Sequence, residues 1–202
     1  EYPIKKLPYK EEYELKAKFP YDTSKACADM IAKSYSTKLF KLPIVITRFA
    51  NIYGPGQLNF TALIPDAISS CLLNKKFIMR GDGQSIRDFV YIDDIIELYK
   101  LLSKNLYSNP KKFSGQVFNA GTNIQHKIKD ILEKIFLYAK KKKQLDKIFR
   151  RMHKNETKGE ISVQFMDYEK LHRYLGWKPK YILINTLPKL FRWYKKYFKN
   201  KK

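Results

Sequence analysis

Tyr21 and Lys25 stand four residues apart in the run PYDTSKACAD (20–29). On a helix that spacing stacks two side chains on one face, one turn apart. An ammonium held beside a phenol favours the phenolate. A phenol poised in this way takes the proton of an alcohol while hydride leaves the same carbon. The pattern alone is ordinary. The chain has 15 tyrosines, and Tyr-x-x-x-Lys is equally the mark of a rim tyrosine beside a solvated lysine. Its meaning depends on the elements that hold it and on the motifs downstream.

The first twenty residues are polar, Pro-punctuated and without a sustained period, which predicts a loop. Pro20 sits where helices start, and apolar residues at helical spacing (Ala28, Ile31, Tyr35, Leu39) predict a helix over about 21–40. Residues 44–47 are a β-branched run, the pattern of a strand buried on both faces. NIYGPGQ (51–57) reads as a turn. A helix is expected over about 61–73, strands at 77–79 and 88–92, and a helix capped by Asp93 and Asp94 that runs to about 106. Residues 116–119 read as a strand and 127–143 as one helix, with a shorter helix near 145–152. A weak strand at 161–165, a short helix at 167–175 stopped by Gly176, and a basic amphipathic helix at 186–199 complete the chain. Strands alternating with helices predict an α/β fold with at least part of a parallel sheet.

Composition narrows the function classes. The chain has 202 residues and is 44% hydrophobic, enough to bury a core, which excludes extensive disorder. No apolar run approaches the roughly 20 residues that cross a bilayer, and a cytoplasmic protein without a membrane partner is the expectation. Two distant cysteines, Cys27 and Cys71, and three dispersed histidines argue against a disulfide framework and against a metal centre. The net charge is +22. It concentrates in residues 140–158, with nine Lys/Arg against Asp146 and Glu156, and in 178–202, with nine and no acid. Both stretches interleave cations with apolar residues as solvated amphipathic helices do. A nucleic-acid partner is disfavoured because no zinc finger, RNP-type strand or KH loop accompanies the charge. An anionic small substrate suits it as well.

Five runs succeed one another in a telling order: PYDTSKACAD (20–29), LPIVITRFANIYGPG (42–56), RGDGQSIRDFVYIDD (80–94), FNAG (118–121) and LGWKP (175–179). Together they span nearly the whole chain. Their order resembles the extended short-chain dehydrogenase/reductase family, the NAD-dependent sugar-nucleotide epimerases and dehydratases. QLNF (57–60) after the YGPG turn is most similar to the CDP-glucose 4,6-dehydratase branch. The fold this implies is the C-terminal part of a Rossmann-like NAD(P)-binding domain plus a small mixed α/β substrate-binding domain. Residues 1–60 would be the Rossmann-like remnant that bears the Tyr-Lys helix. Residues 61–202 would be mainly the sugar-nucleotide-binding region, with strands near 88–92 and 116–119 partly returning to the Rossmann sheet.

The resemblance also implies roles. Tyr21 would be the acid/base, and Lys25 would support it and hold the nicotinamide ribose, so both count as catalytic and cofactor-binding. Asn51 would contact the substrate diphosphate and Arg87 would pair with it, as a planar guanidinium does bidentately. Each also has a plainer reading: Arg87 beside Asp88 or Asp93, Asn51 as a turn cap. Phe60, Leu63, Ile78 and Arg80 fall where the family lines its nucleobase pocket. Asp88, Tyr91, Asp94, Asn119 and Trp177 match motif positions that capping and packing explain. The implied reaction is a 4,6-dehydration: oxidation at C4 of the hexose with NAD, loss of water across C5–C6, and a 4-keto-6-deoxy product. A 4-epimerase or decarboxylase would share the first oxidation, and a non-catalytic binding module is the remaining alternative. The expected partners are a nucleotide-diphosphate sugar and, for the intact enzyme, a second copy of itself. The sequence contains no GxGxxG or GxxGxxG turn. It therefore reads as the C-terminal part of a longer enzyme, expected to bind NAD poorly and to turn over little by itself.

Overall fold

The computed structural model describes residues 6–37, 39–79, 81–151 and 161–201. β1 (Ile46–Phe49) pairs in parallel with β5 (Val117–Ala120), and β2 (Asn51–Tyr53) pairs in parallel with β4 (Phe89–Tyr91). Only Ala50 separates β1 from β2. Its N–H donates to the Ala120 carbonyl at 3.0 Å, and the Asn51 N–H donates to the Asp88 carbonyl at 3.1 Å. The chain thus passes from one partner strand to the other without a gap in its ladder. Parallel pairing demands long crossovers. α2 (Leu63–Leu73) lies in the connection from β2 to β4, and α3 (Ile92–Ser108) and α4 (Pro110–Phe113) lie in that from β4 to β5. A separate three-stranded sheet sets β3 (Ile86–Arg87) between antiparallel β6 (His126–Lys127) and parallel β7 (Val163–Gln164).

Successive strand residues face opposite sides, and the buried residues divide accordingly. Tyr53, Phe89 and Tyr91 enter a core shared with Ile68 of α2 and with Ile135 of α5 (Ile128–Tyr138). Ile148 of α6 (Lys142–Arg150) joins the same core, as does Leu187 of α8 (Leu183–Lys199). Val90 points the other way, into a core with Leu98 of α3, Phe118 of β5, Leu171 of α7 (Glu169–Leu175) and Trp177. Each large side chain so buried contributes about 1.5–3 kcal/mol of transfer free energy. Two hydroxyls lock α8 down: Tyr53 bonds Thr186 at 3.1 Å, and Tyr194 donates to the Gln57 carbonyl at 2.7 Å, which pins the Gly/Pro turn.

Several local expectations are corrected. The helix expected over 21–40 is α1 (Pro20–Tyr35), closed where the Ser36 N–H reaches the Ala32 and Lys33 carbonyls. The turn expected at 51–57 begins with three residues of strand. Residues 77–79 form no strand; Phe77 is buried while Ile78 is 67% exposed. The helix expected over 127–143 is broken into α5 and α6, because Lys140 adopts φ 57° between them. Asp93 and Asp94 do not cap α3, which starts at Ile92. Asp93 pairs with Lys189 at 2.8 Å, and Asp94 accepts from the Lys180 and Tyr181 N–H groups at 3.0 and 3.3 Å.

Gly121 is one position where the fold leaves no room for a side chain. A Cβ there would collide with the Asp88 carboxylate, and would come within 3.1 Å of Met166 Cβ and 3.3 Å of Ala50 Cβ. The carboxylate cannot swing aside, because backbone N–H groups of Thr122 and Asn123 hold it. Gly121→Ala is expected to lower stability by about 1–3 kcal/mol, read as an earlier urea midpoint.

Candidate active site

Tyr21 lies in the first turn of α1, behind Pro20, and its side chain is 71% exposed. Lys25 comes one turn later, its Nζ 5.6 Å from the centre of the Tyr21 ring, within reach of a cation–π attraction. The expected pairing of phenol and ammonium on one helix face is therefore present. Arg48 of β1 holds α1 in place. Its Nε and Nη2 donate to the two carboxylate oxygens of Asp29 at 2.7 and 3.1 Å, and its Nη1 donates to the Glu11 carbonyl at 3.1 Å. Asp29 stands one further turn beyond Lys25, so this fork clamps the same helix to the sheet. α1 has no buried side chain of its own.

A cleft of about 530 Å³ opens between the start of α1, the end of β2, the start of α2 and the β3 sheet. Tyr21, Asn51, Leu63, Ile78 and Arg87 all line it. Asn51 enters as the first residue of β2, and its Nδ2 donates to the Asp88 carbonyl at 3.1 Å, so it ties two strands as well as facing the cleft. Arg87 comes from β3, with Nη1 donating to the Ile86 carbonyl at 2.9 Å.

Two expected members stand elsewhere. Phe60 is turned out of the cleft wall and packs its ring on Tyr194, Tyr197 and Phe198 of α8 at 5.6–6.2 Å between centroids. Burial against three aromatic rings of a distant helix outweighs its sequence proximity to the pocket. Lys25 lies outside the cleft lining, in the shallower groove it shares with Asp29 and Arg48. Arg80 lies outside the described residues. Asn59, Thr61 and Ser85, to which the sequence reading gave no role, give the cleft a polar wall. Asn59 Oδ1 accepts from the Thr61 N–H and hydroxyl at 3.0 and 2.7 Å, and Asn-x-Thr is the signal of such a turn.

His126 pairs across the small sheet with Arg87. Burial pushes its imidazole below the ordinary 6.5, Lys134 pushes it further the same way, and Asp88 and Asp130 oppose this.

A parallel α/β fold whose Tyr-Lys helix borders a cleft with an arginine is the arrangement that the resemblance to the extended dehydrogenase/reductase family implies. The solved dTDP-glucose 4,6-dehydratase of Bacillus anthracis, in complex with NAD, superposes with a TM-score of 0.77 at 31% identity, over 93% of this chain and 56% of that one. The family description "GDP-mannose 4,6 dehydratase" matches residues 3–189, and the chain belongs to that family. The dTDP-D-glucose 4,6-dehydratase of Mus musculus is 32% identical over 182 residues, 90% of this chain and 49% of the mouse protein. The Dictyostelium discoideum protein of the same name is 40% identical over 116 residues, 57% of this chain and 25% of that protein. The chain spans about half the length of the mammalian relatives it matches.

Removing the Arg48 fork through Asp29→Ala is expected to quicken amide exchange within α1 by about 10–100-fold, while the core strands keep their protection. For His126, the unfolded chain takes up its proton near 6.5 and the folded chain only below that. Stability is thus fully present above 6.5 and is lost as pH falls through the folded value. Urea midpoints measured from neutral to mildly acid pH should show this decline, and His126→Phe should flatten it.

Proposed function

We propose that this chain carries the acid–base and substrate-binding portion of an NAD-dependent nucleotide-sugar 4,6-dehydratase. The observation that carries the reading is the meeting of Tyr21, Asn51 and Arg87 around one cleft of about 530 Å³, a volume typical of small-molecule sites. In this reading Arg87 grips the substrate diphosphate through its planar fork, and Asn51 supports it from β2. Leu63 and Ile78, with Arg80, take the nucleobase end. Tyr21, exposed at the lip, receives the proton of the C4 hydroxyl and later returns one, and Lys25 keeps a positive charge beside it. Water then leaves across C5–C6.

NAD, which the Bacillus anthracis structure holds, would when bound supply the acceptor for the hydride of C4 and the hydride that C6 receives after water has left. The exposed phenol and ammonium suit its nicotinamide ribose. Nothing in the sequence offers a glycine-rich turn for its pyrophosphate, which supports a chain that binds nucleotide sugar but turns over little alone. A pyrimidine nucleotide is the favoured substrate end, because the relatives' names carry dTDP and QLNF (57–60) is similar to the CDP-glucose branch. Those names also favour dehydration over epimerization or decarboxylation. Apolar residues exposed on α1, Met30 and Ile31 among them, support a homodimer of the intact enzyme, and a cytoplasmic setting belongs to the same proposal.

Calorimetry of the chain with dTDP-glucose, CDP-glucose, UDP-glucose and GDP-mannose tests it. A pyrimidine nucleotide sugar should bind tightest. Arg87→Ala should weaken that binding by about 10–100-fold, and Tyr21→Phe should leave it within about twofold. Binding indifferent to Arg87 would remove the reading. Should the chain alone show turnover, Tyr21→Phe must lower it by about 10²–10⁴-fold.

A further inference from the structure

Behind the substrate cleft lies a second concavity, of about 800 Å³, between the segment 74–79 and the α5–α6 region. Lys75 and Lys76 line one wall; residues 140–143, all lysine, line the other with Lys147 and Arg151. Eight cations thus face one groove, and among the described residues no carboxylate lines it. Two exposed cations elsewhere pair with acids, Lys180 with Glu97 and Lys189 with Asp93, at 2.7 and 2.8 Å. Here, among the described residues, none of the eight makes an ion pair. The walls are tied to each other: Lys141 Nζ donates to Asn74 Oδ1 at 2.6 Å, and Gln144 Nε2 donates to the Lys75 carbonyl at 2.8 Å. The groove is therefore preformed. Its floor is apolar, with Ile78, Met79 and Ile148.

We propose that this groove is a second anion site, built for a chain of phosphates carried by a small molecule. Like charges held together without a counter-charge repel one another, and a bound polyanion relieves that repulsion at every cation. The groove is walled and of small-molecule volume, whereas a nucleic-acid duplex is met by an open basic stripe. The apolar floor gives a nucleoside a surface to rest on, and a free polyphosphate needs only the rim. Residues 77–79 line both this groove and the substrate cleft, so an occupant would press on the wall expected to receive the nucleobase.

The test titrates the chain with pyrophosphate and with ADP at fixed ionic strength, in the Arg87→Ala background so that the substrate cleft has lost its phosphate grip. Saturable one-to-one binding is expected, weakened at least about tenfold by Lys143→Glu with Lys147→Glu. Both lysines are exposed, and the milder pair Lys143→Gln with Lys147→Gln should weaken binding less, in a chain whose circular dichroism is unchanged. ADP binding tighter than pyrophosphate assigns a nucleotide, and equal binding assigns a free polyphosphate. Loss of all binding on Arg87→Ala, persistence of full binding in the charge-reversed chain, or failure to saturate would overturn the site. So would a random DNA duplex that binds more tightly than ADP and displaces it.

Discussion

Asp88 carries a carboxylate into the interior, where the residue is 1% exposed, and the arrangement around the cleft depends on how that charge is accommodated. A buried carboxylate persists only when hydrogen bonds replace its lost water. Asp88 receives the N–H groups of Thr122, Asn123 and Met166 at 3.0, 3.2 and 3.4 Å, and the Thr122 hydroxyl as well. Three segments distant in sequence are thereby gathered at the end of β5. The same residue separates β3 from β4, so its two neighbours enter different sheets: Phe89 goes to the core beside Tyr53, and Arg87 goes to the cleft. The guanidinium faces the cleft because the next side chain is committed inward.

Much of this was legible from residue order alone. The parallel α/β class, the helices near 63–73 and 169–175, and the strand at 117–120 are set by periodicity and by glycine placement. So is the sharing of one helix face by Tyr21 and Lys25, since it needs only the spacing of four. The features that escaped had non-local causes. Apolar residues recur at helical spacing from Ile131 to Ala139, and the break at Lys140 depends on a left-handed lysine where no glycine or asparagine announces it. Phe60 comes after a turn and reads as a pocket residue until α8 brings three aromatic rings to it. Asp94 looks like a cap until the loop after Trp177 presents two N–H groups to its carboxylate.

The residues of the candidate site split between structural and chemical duty in ways that sequence motifs do not separate. Asn51 binds the neighbouring strand with its side chain and lines the cleft at once. Trp177, in another matching run, donates its indole N–H to the Asp94 carbonyl at 3.2 Å and serves packing alone. Matching a motif thus identifies which positions matter without saying whether they hold the fold or touch a ligand. Burial and partner geometry make that distinction here.

The lack of any buried side chain in α1 has a thermodynamic consequence. A solitary helix of sixteen residues is marginal in water, so α1 owes its order to the sheet it touches and to the charged clamp between Arg48 and Asp29. Arg87, by contrast, projects from a strand whose next residue, Asp88, is tied to Thr122, Asn123 and Met166. The phenol and the guanidinium, in the roles proposed for them, therefore belong to segments anchored in different ways. Warming would loosen the helix of Tyr21 before the strand of Arg87, and under the proposed roles the molecule would then capture without converting.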